Sequence, residues 1–432
     1  MKKSLILMLP LVFLIVFSGC SSTETVKSVK KKEPVTLKIA WWGEQPRHDS
    51  TEKVIKLFEK NNPNIKIEYE YSNWDDYWKR LAPLAAANQL PDIVQMDLLY
   101  LKSYSDNDLL ENLTPYIKDK IIDTKSIDNK ILSGGMIGNQ LFGFPLGINA
   151  PVVIMDKNLV SKAGVPIPKE NWTWRDFENV VSEIHKGGNI YGFNGMESTE
   201  VFFSYYLHTK GKNLYNTEGT SLGYNNDQLF IDYFDMQLRL LSQGALPSVN
   251  VMEQINSIED EPLVNHQAAM TFNHSNQYYS YTQAAKRPLE ILPPPGPGQD
   301  IGLMVKPSQL FSITKGSKHK KEAARFINFF INNIEANKMM KGERGVSVSS
   351  KVASEVKKEL PEDQRKIFDY VMKIERSNNH IETAYPLGAT EVVKTLQDIS
   401  NQILFKKITP AEGAEKFRTQ ANNILSKNKK DS

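Results

Sequence analysis

The chain has 432 residues, 53 Lys and Arg against 50 Asp and Glu, 40% hydrophobic residues and a single cysteine. That length suffices for two lobes with ordinary hydrophobic cores, and a lone cysteine excludes an intrachain disulfide, so packing must hold the fold together. The near balance of charge supplies no basic surface of the kind nucleic acid demands.

Residues 1–19 read as a secretory signal. Lys2 and Lys3 precede an apolar run from Leu5 to Phe17, about 13 residues and too short to span a bilayer, and Ser18, Gly19 and Cys20 follow. Small residues just before the only cysteine resemble the lipobox of bacterial lipoproteins, with Phe17 where leucine is more usual. Cys20 is therefore the expected lipidation site and membrane anchor. Residues 20–34 are rich in Ser, Thr and Lys, with nothing large and apolar until Val35, and read as a solvated tether.

Val35, Leu37 and Ile39 alternate with Thr36 and Lys38 as a strand, which then breaks into a turn crowded with Trp41, Trp42, Gly43, Glu44, Arg47 and His48. Helical spacing starts near Asp49 or Ser50 and stops at Asn61-Asn62-Pro63. Ile65, Ile67, Tyr69 and Tyr71 alternate as a second strand. Ser72-Asn73-Trp74-Asp75 has the form of a capping box ahead of an apolar stripe through Tyr77, Trp78 and Leu81. Asp92 to Met96 is a third strand, ending at Asp97. This β-α-β-α-β order predicts a parallel sheet flanked by helices, with ligands at the carboxyl ends of its strands.

Gly143 to Asn149, with its two glycines and Pro145, suits a crossing between lobes. A second α/β run follows: a strand at Val152 to Met155, a capping box at Thr173 to Asp176, helices at Glu200 to Thr209 and Gln228 to Gln243, and a strand at Ala268 to Phe272. Leu289 to Leu292, before a proline-rich run, is the second expected crossing. Gly342 to Ser347 is the third, and Lys351 to Lys427 is helical with stops at Pro361, Pro386 and Pro410.

No H-E-x-x-H, P-loop, nucleophile elbow or dinucleotide fingerprint occurs, so no metal and no cofactor is expected. Carboxylates are plentiful, yet no pair is fixed by spacing at the separation a glycosidase needs, and a surface glycosidase stands only as an alternative. The candidate cleft offers aromatic faces beside hydrogen-bonding side chains: Trp42, Trp74, Tyr278 and Trp174 with Glu44, Arg47, His48, Asn73, Asp97, Asn149, Asn194, Asn273 and Asn276. Sugars present C–H faces that stack on tryptophan and hydroxyls that need amides and carboxylates. Each aromatic, Trp41 above all, has core packing as its alternative role.

W-W-G at 41–43, N-W-D-D-Y-W-K-R-L at 73–81, L-P-D-I-V-Q-M-D at 90–97, P-L-G-I-N-A at 145–150, N-W-T-W-R-D-F at 171–177 and K-E-A-A-R-F-I-N-F-F at 321–330 occur in this order. With them the chain resembles the family 1 extracellular solute-binding lipoproteins of bacterial carbohydrate ABC importers. Through A-W-W-G-E-Q-P-R-H-D at 40–49 and M-K-G-E-R-G at 340–345 it is most similar to those of bacilli encoded with pectin and rhamnogalacturonan utilisation. Asn276-Gln277 departs from the tryptophan that many relatives place in that turn.

The resemblance implies an α/β, two-lobed periplasmic-binding-protein-like (type II) fold, each lobe a mainly parallel sheet flanked by helices, with a helical C-terminal region. Lobe 1 is expected at 35–146 plus about 292–343, and lobe 2 at 147–291 plus about 344–432. It further implies a monomer that closes on an oligosaccharide and docks on permease subunits served by a separate ATPase. Arg47, with Arg344 approaching from the hinge, would receive a galacturonate carboxylate. Pairing of Arg47 with Glu44 or Asp49, and with it a neutral maltose- or galactan-type ligand, is the alternative.

Overall fold

The computed structural model describes residues 34–196, 199–296, 302–377 and 381–430, so the signal sequence, Cys20 and most of the tether lie outside the described residues. In chain order the strands are β1 (Val35–Trp42), β2 (Ile65–Ser72), β3 (Ile93–Met96), β4 (Met136–Ile137), β5 (Gln140–Leu141), β6 (Phe144–Pro145) and β7 (Gly147–Asn149). They continue with β8 (Pro151–Met155), β9 (Met270–His274), β10 (Glu290–Leu292), β11 (Lys306–Pro307), β12 (Leu310–Ile313) and β13 (Val346–Ser347). The first helices are α1 (Gln45–Asn61), α2 (Trp74–Ala86) and α3 (Leu98–Asp106).

Alternation along β1 decides the first lobe. Leu37, Ile39 and Trp41 point to one side and pack with Val54, Ile55 and Phe58 of α1, while Ala40 and Trp42 point to the other and pack with Tyr77, Trp78 and Leu81 of α2. The sheet is thus covered on both faces, and Trp41, with no exposed surface, is core. Strand order is β2-β1-β3-β12-β6. β1, β2 and β3 run parallel, as the β-α-β-α-β reading requires, and β12 enters antiparallel between β3 and β6.

In the second lobe β10-β8-β9 pair antiparallel, extended by parallel bridges from Tyr191 to Ala268 and from Asn194 to Thr271. The parallel sheet expected there is therefore a mixed one. Helices Trp174–Gly188, Thr199–Thr209 and Gln228–Ser242 pack on one another and against the C-terminal helices Ala389–Leu404 and Pro410–Leu425. Thr173 caps the first of them in a full capping box with Asp176.

A third sheet, β11-β7-β13, joins the two. β7 is its middle strand, with Lys306 opposite Asn149 on one side and Ser347 opposite Gly147 on the other. Gly147–Asn149 and Val346–Ser347, where glycines marked the sequence, are two strands of this sheet, and Lys306–Pro307 is the third. Leu289–Leu292, expected as a crossing, contributes β10, hydrogen-bonded to β8.

Candidate functional site

The turn after β1 is shorter than its sequence suggests. α1 begins at Gln45 with Pro46 in its first turn, leaving only Gly43 and Glu44 outside regular structure, so Arg47 and His48 are helical and buried. Arg47 Nε donates to both carboxylate oxygens of Glu343 at 2.9 and 3.0 Å, and Nη1 donates to the Trp42 carbonyl at 3.1 Å. Its partner is neither Glu44 nor Asp49. Arg344 lies between the rings of Phe311 and Phe330 and donates to Gln95 Oε1 and to Thr51 Oγ1. Both guanidiniums brace the hinge strand against α1 and β3, and the carboxylate role expected of them is not the one their contacts serve.

His48 is likewise held internally. Its Nδ1 accepts from Trp41 Nε1 at 3.1 Å, and its ring stacks on Tyr71 with centroids 3.9 Å apart. Burial, then the positive charges of Arg47 and Arg344, lower its pKa to about 4. The folded value lies below the ordinary one near 6.5, so the stability contributed by the neutral ring is complete above pH 6.5 and is lost as pH falls through 4. Melting temperature should drop across that window, and less so in His48→Gln, whose amide oxygen still accepts from Trp41. Thermal melts of the two proteins at pH 7 and pH 4.5 read this directly, and equal drops would refute it.

The aromatic wall is present. Trp42 meets Trp74 edge to face at 5.0 Å and also touches Tyr77 and Trp78, while Trp78 stacks on Tyr100 at 3.6 Å. Trp74 is 37% exposed and is the platform of this cluster open to solvent. Asn73, expected to meet ligand, is the N-cap of α2: its Oδ1 accepts from the Asp76 amide at 2.9 Å, one residue later than the capping box read from the sequence. Glu44 faces Glu259 of the second lobe across the opening, and its carboxyl is raised first by burial and then by that neighbour.

Several other candidates spend their polar atoms locally. Tyr278 donates to the Leu289 carbonyl at 2.7 Å and is buried; Asn273 donates to the Tyr281 hydroxyl at 3.2 Å; Asn194 donates to Glu261 at 2.9 Å. Trp174 donates to Thr209 Oγ1 at 3.0 Å inside the second lobe. Asn149 and Asn276 are brought together, Nδ2 donating to Oδ1 at 2.8 Å, which ties β7 to the start of helix Gln277–Ala285. Asn149 Oδ1 is buried with no hydrogen-bond partner among the described residues.

Where the lobes meet there is a polar cavity of about 20 Å³, lined by Glu200 and His208 of helix Thr199–Thr209, His274 at the end of β9, Lys306 of β11, and Glu382 and Tyr385. Glu382 and Tyr385 lie on a strap that leaves the second lobe and rests on the first, the Tyr385 amide donating to the Leu98 carbonyl at 3.0 Å and the Glu382 amide to Val305 at 3.2 Å. Tyr385 also packs against the core cluster of the first lobe that contains Trp42 and Leu98, and its ring meets Tyr215. Lys306 Nζ is 3.9 Å from Glu382. Burial alone would lower its pKa, but Asp97, Glu382 and Glu200 together raise it, so the ammonium is firmly charged. Glu200 is pushed up to about 7, chiefly by burial, with Lys306 opposing and Glu382 and Asp97 adding. His274 is lowered to about 3 by burial and Lys306, and its buried Nδ1 has no hydrogen-bond partner among the described residues.

Of this cluster the sequence reading had named Asp97 alone. Its carboxylate caps α3, accepting from the Leu99 amide at 2.9 Å, and acts electrostatically on Lys306 and Glu200. A signal for Lys306 was available: one charge inside the apolar run Leu303-Met304-Val305-Lys306-Pro307. Glu200, Glu382 and Tyr385 carry no such mark, because the strap that gathers them is a tertiary feature.

The fold recurs among solved structures. A periplasmic oligogalacturonide binding protein from Yersinia enterocolitica, in complex with saturated digalacturonic acid, is 25% identical with a TM-score of 0.80, over 91% of this chain and 99% of that one. An extracellular solute-binding protein family 1 member from Alicyclobacillus acidocaldarius is 29% identical with a TM-score of 0.67 over the same shares. The chain spans about two fifths of the length of curated relatives it matches, among them an uncharacterized ABC transporter extracellular-binding protein of Pyrococcus horikoshii, 29% identical over 193 residues, 42% of this chain and 44% of that one. Residues 43–336 match the family described as Bacterial extracellular solute-binding protein, and with that span on a two-lobed α/β frame the chain belongs to this family.

Proposed function

We infer that the chain captures an oligosaccharide between its lobes and delivers it to the membrane permeases of an ABC importer driven by a separate ATPase. It is a non-enzymatic component, held at the extracytoplasmic face of the membrane through lipid on Cys20. Ligand that touches both lobes favours the closed arrangement by its differential affinity, and the closed form is what the permeases recognise.

The observation that carries the reading is the junction cavity itself, where half-buried carboxylates, imidazoles, a phenol and one ammonium gather beside a first lobe that carries the Trp42 and Trp74 aromatic cluster. That combination covers sugar C–H faces and satisfies hydroxyls that would otherwise lose water. The space of about 20 Å³ holds about one water and no sugar, so the lobes must part to load.

The sugar is proposed to be a plant cell-wall oligosaccharide containing galacturonate. Support comes from the buried ammonium of Lys306 and from the likeness to the Yersinia protein that holds digalacturonic acid. A second reading, a neutral maltose- or galactan-type oligosaccharide, draws on Asp97, Glu200 and Glu382 outnumbering Lys306, since carboxylates accept sugar hydroxyls. Thermal shift and titration with digalacturonate and rhamnogalacturonan fragments, against maltose and galactan oligomers, decide between them. A rise of several degrees with the acidic sugars is expected. Binding of neutral sugars alone would overturn the acidic reading, and no response to any sugar would overturn both.

A further inference from the structure

A uronate taken up while the lobes are parted brings a fourth carboxylate to a site that already holds three around one ammonium. Once the lobes close and shed water, like charges gathered there do not all stay ionised, and one of them must take a proton. The structure separates the candidates. Asp97 caps α3, its oxygen accepting from the Leu99 amide at 2.9 Å. Glu382 has Lys306 at 3.9 Å and the Tyr385 hydroxyl at 3.5 Å.

Glu200 forms no ion pair among the described residues and stands on helix Thr199–Thr209 with only the Tyr385 phenol bonded to it. The groups facing it are Lys306 from β11, Glu382 and Tyr385 from the strap, Asp97 from the end of β3, and Tyr215, with His208 on its own helix and His274 on β9. The two imidazoles are neutral, so they add no charge that could hold Glu200 ionised.

We propose that Lys306 receives the carboxylate of an acidic sugar and that Glu200 takes up a proton from solvent as the lobes close on it. The loose contact of Lys306 with Glu382 leaves the ammonium free to turn to the ligand. Protonated Glu200 then donates a hydrogen bond where an ionised carboxylate would repel. Where the lobes meet, burial raises the Glu200 carboxyl to about 7, and parting them would return water to it and lower it again, so binding and protonation are linked. The inference rests on the galacturonate reading of the ligand.

Calorimetric titration of the purified protein with digalacturonate, in two buffers of different ionisation enthalpy at about pH 6, counts the proton. Close to one proton should be taken up per sugar, and affinity should fall by up to about tenfold per pH unit as pH rises towards 7 and level off above it. Glu200→Gln should bind with no proton uptake and a flat pH profile, and Lys306→Met should lose at least about 100-fold in digalacturonate affinity. Melting curves of both variants establish that they fold. Digalacturonate binding by the native protein without proton uptake, or uptake that persists in Glu200→Gln, would overturn the inference while leaving the ligand reading intact. No digalacturonate binding at any pH, with neutral sugars bound, would instead remove the ligand reading and the inference with it.

Discussion

Glu343→Ala is expected to cost about 3–5 kcal/mol of folding stability, the loss typical when one member of a buried ion pair is removed. Glu343 is buried and takes both of its hydrogen bonds from Arg47 Nε. Without it Arg47 and Arg344 are left as two buried guanidiniums with no carboxylate between them. The strain is already visible: burial, then Arg47, lower Arg344 to about 9, with Glu343 opposing, and Arg344 Nε has no hydrogen-bond partner among the described residues. Urea denaturation of the variant measures the loss. Replacing both partners, Arg47→Met with Glu343→Leu, should cost less than the single change, because the desolvated charges go together. A single-variant cost below about 1 kcal/mol would contradict this account.

The second large effect is expected at Gly147, in the middle strand of the joining sheet. A Cβ there would stand 2.1 Å from the carbonyl oxygen of Arg344 and 3.1 Å from Ser308 Oγ. The first is a backbone atom that no rotamer change can move away, so Gly147→Ala must push β13 off β7. A loss of about 2–3 kcal/mol is expected, together with a changed angle between the lobes that small-angle scattering would detect. Gly138→Ala is the control. It has a positive φ of 57° but open space around it, so only about 1 kcal/mol of local backbone strain is at stake. Equal effects at the two glycines would show that the close approach at Gly147 carries no weight.

The first lobe was largely legible because its signals are local. Alternation in β1 and β2 and the stripe of α2 each act within a few positions, as does the capping box at Thr173 in the second lobe. What escaped depends on partners far along the chain. Arg47 looked free to meet a ligand because Glu343 is 296 positions away, and Lys306 meets Glu382 only where the strap crosses. Strand direction in the second lobe and the identity of β10 were equally hidden, since a short apolar run pairs with whatever edge the tertiary fold offers it. The start of α1 was missed for a local reason: Glu44 makes no side-chain cap bond, so no capping pattern announced it.

The position of β12 carries a consequence for how the protein is made. It lies between β3 and β6, strands encoded far earlier, with β8, β9 and β10 of the second lobe in between. Until residue 313 has been synthesised, β3 and β6 have unpaired edges facing a gap. The second lobe waits longer still, because helices Ala389–Leu404 and Pro410–Leu425 cover Thr199–Thr209 and Gln228–Ser242. The sheet of the first lobe therefore cannot close before β12 has been made, and the second lobe not before its C-terminal helices, so assembly is governed by slow, long-range contacts.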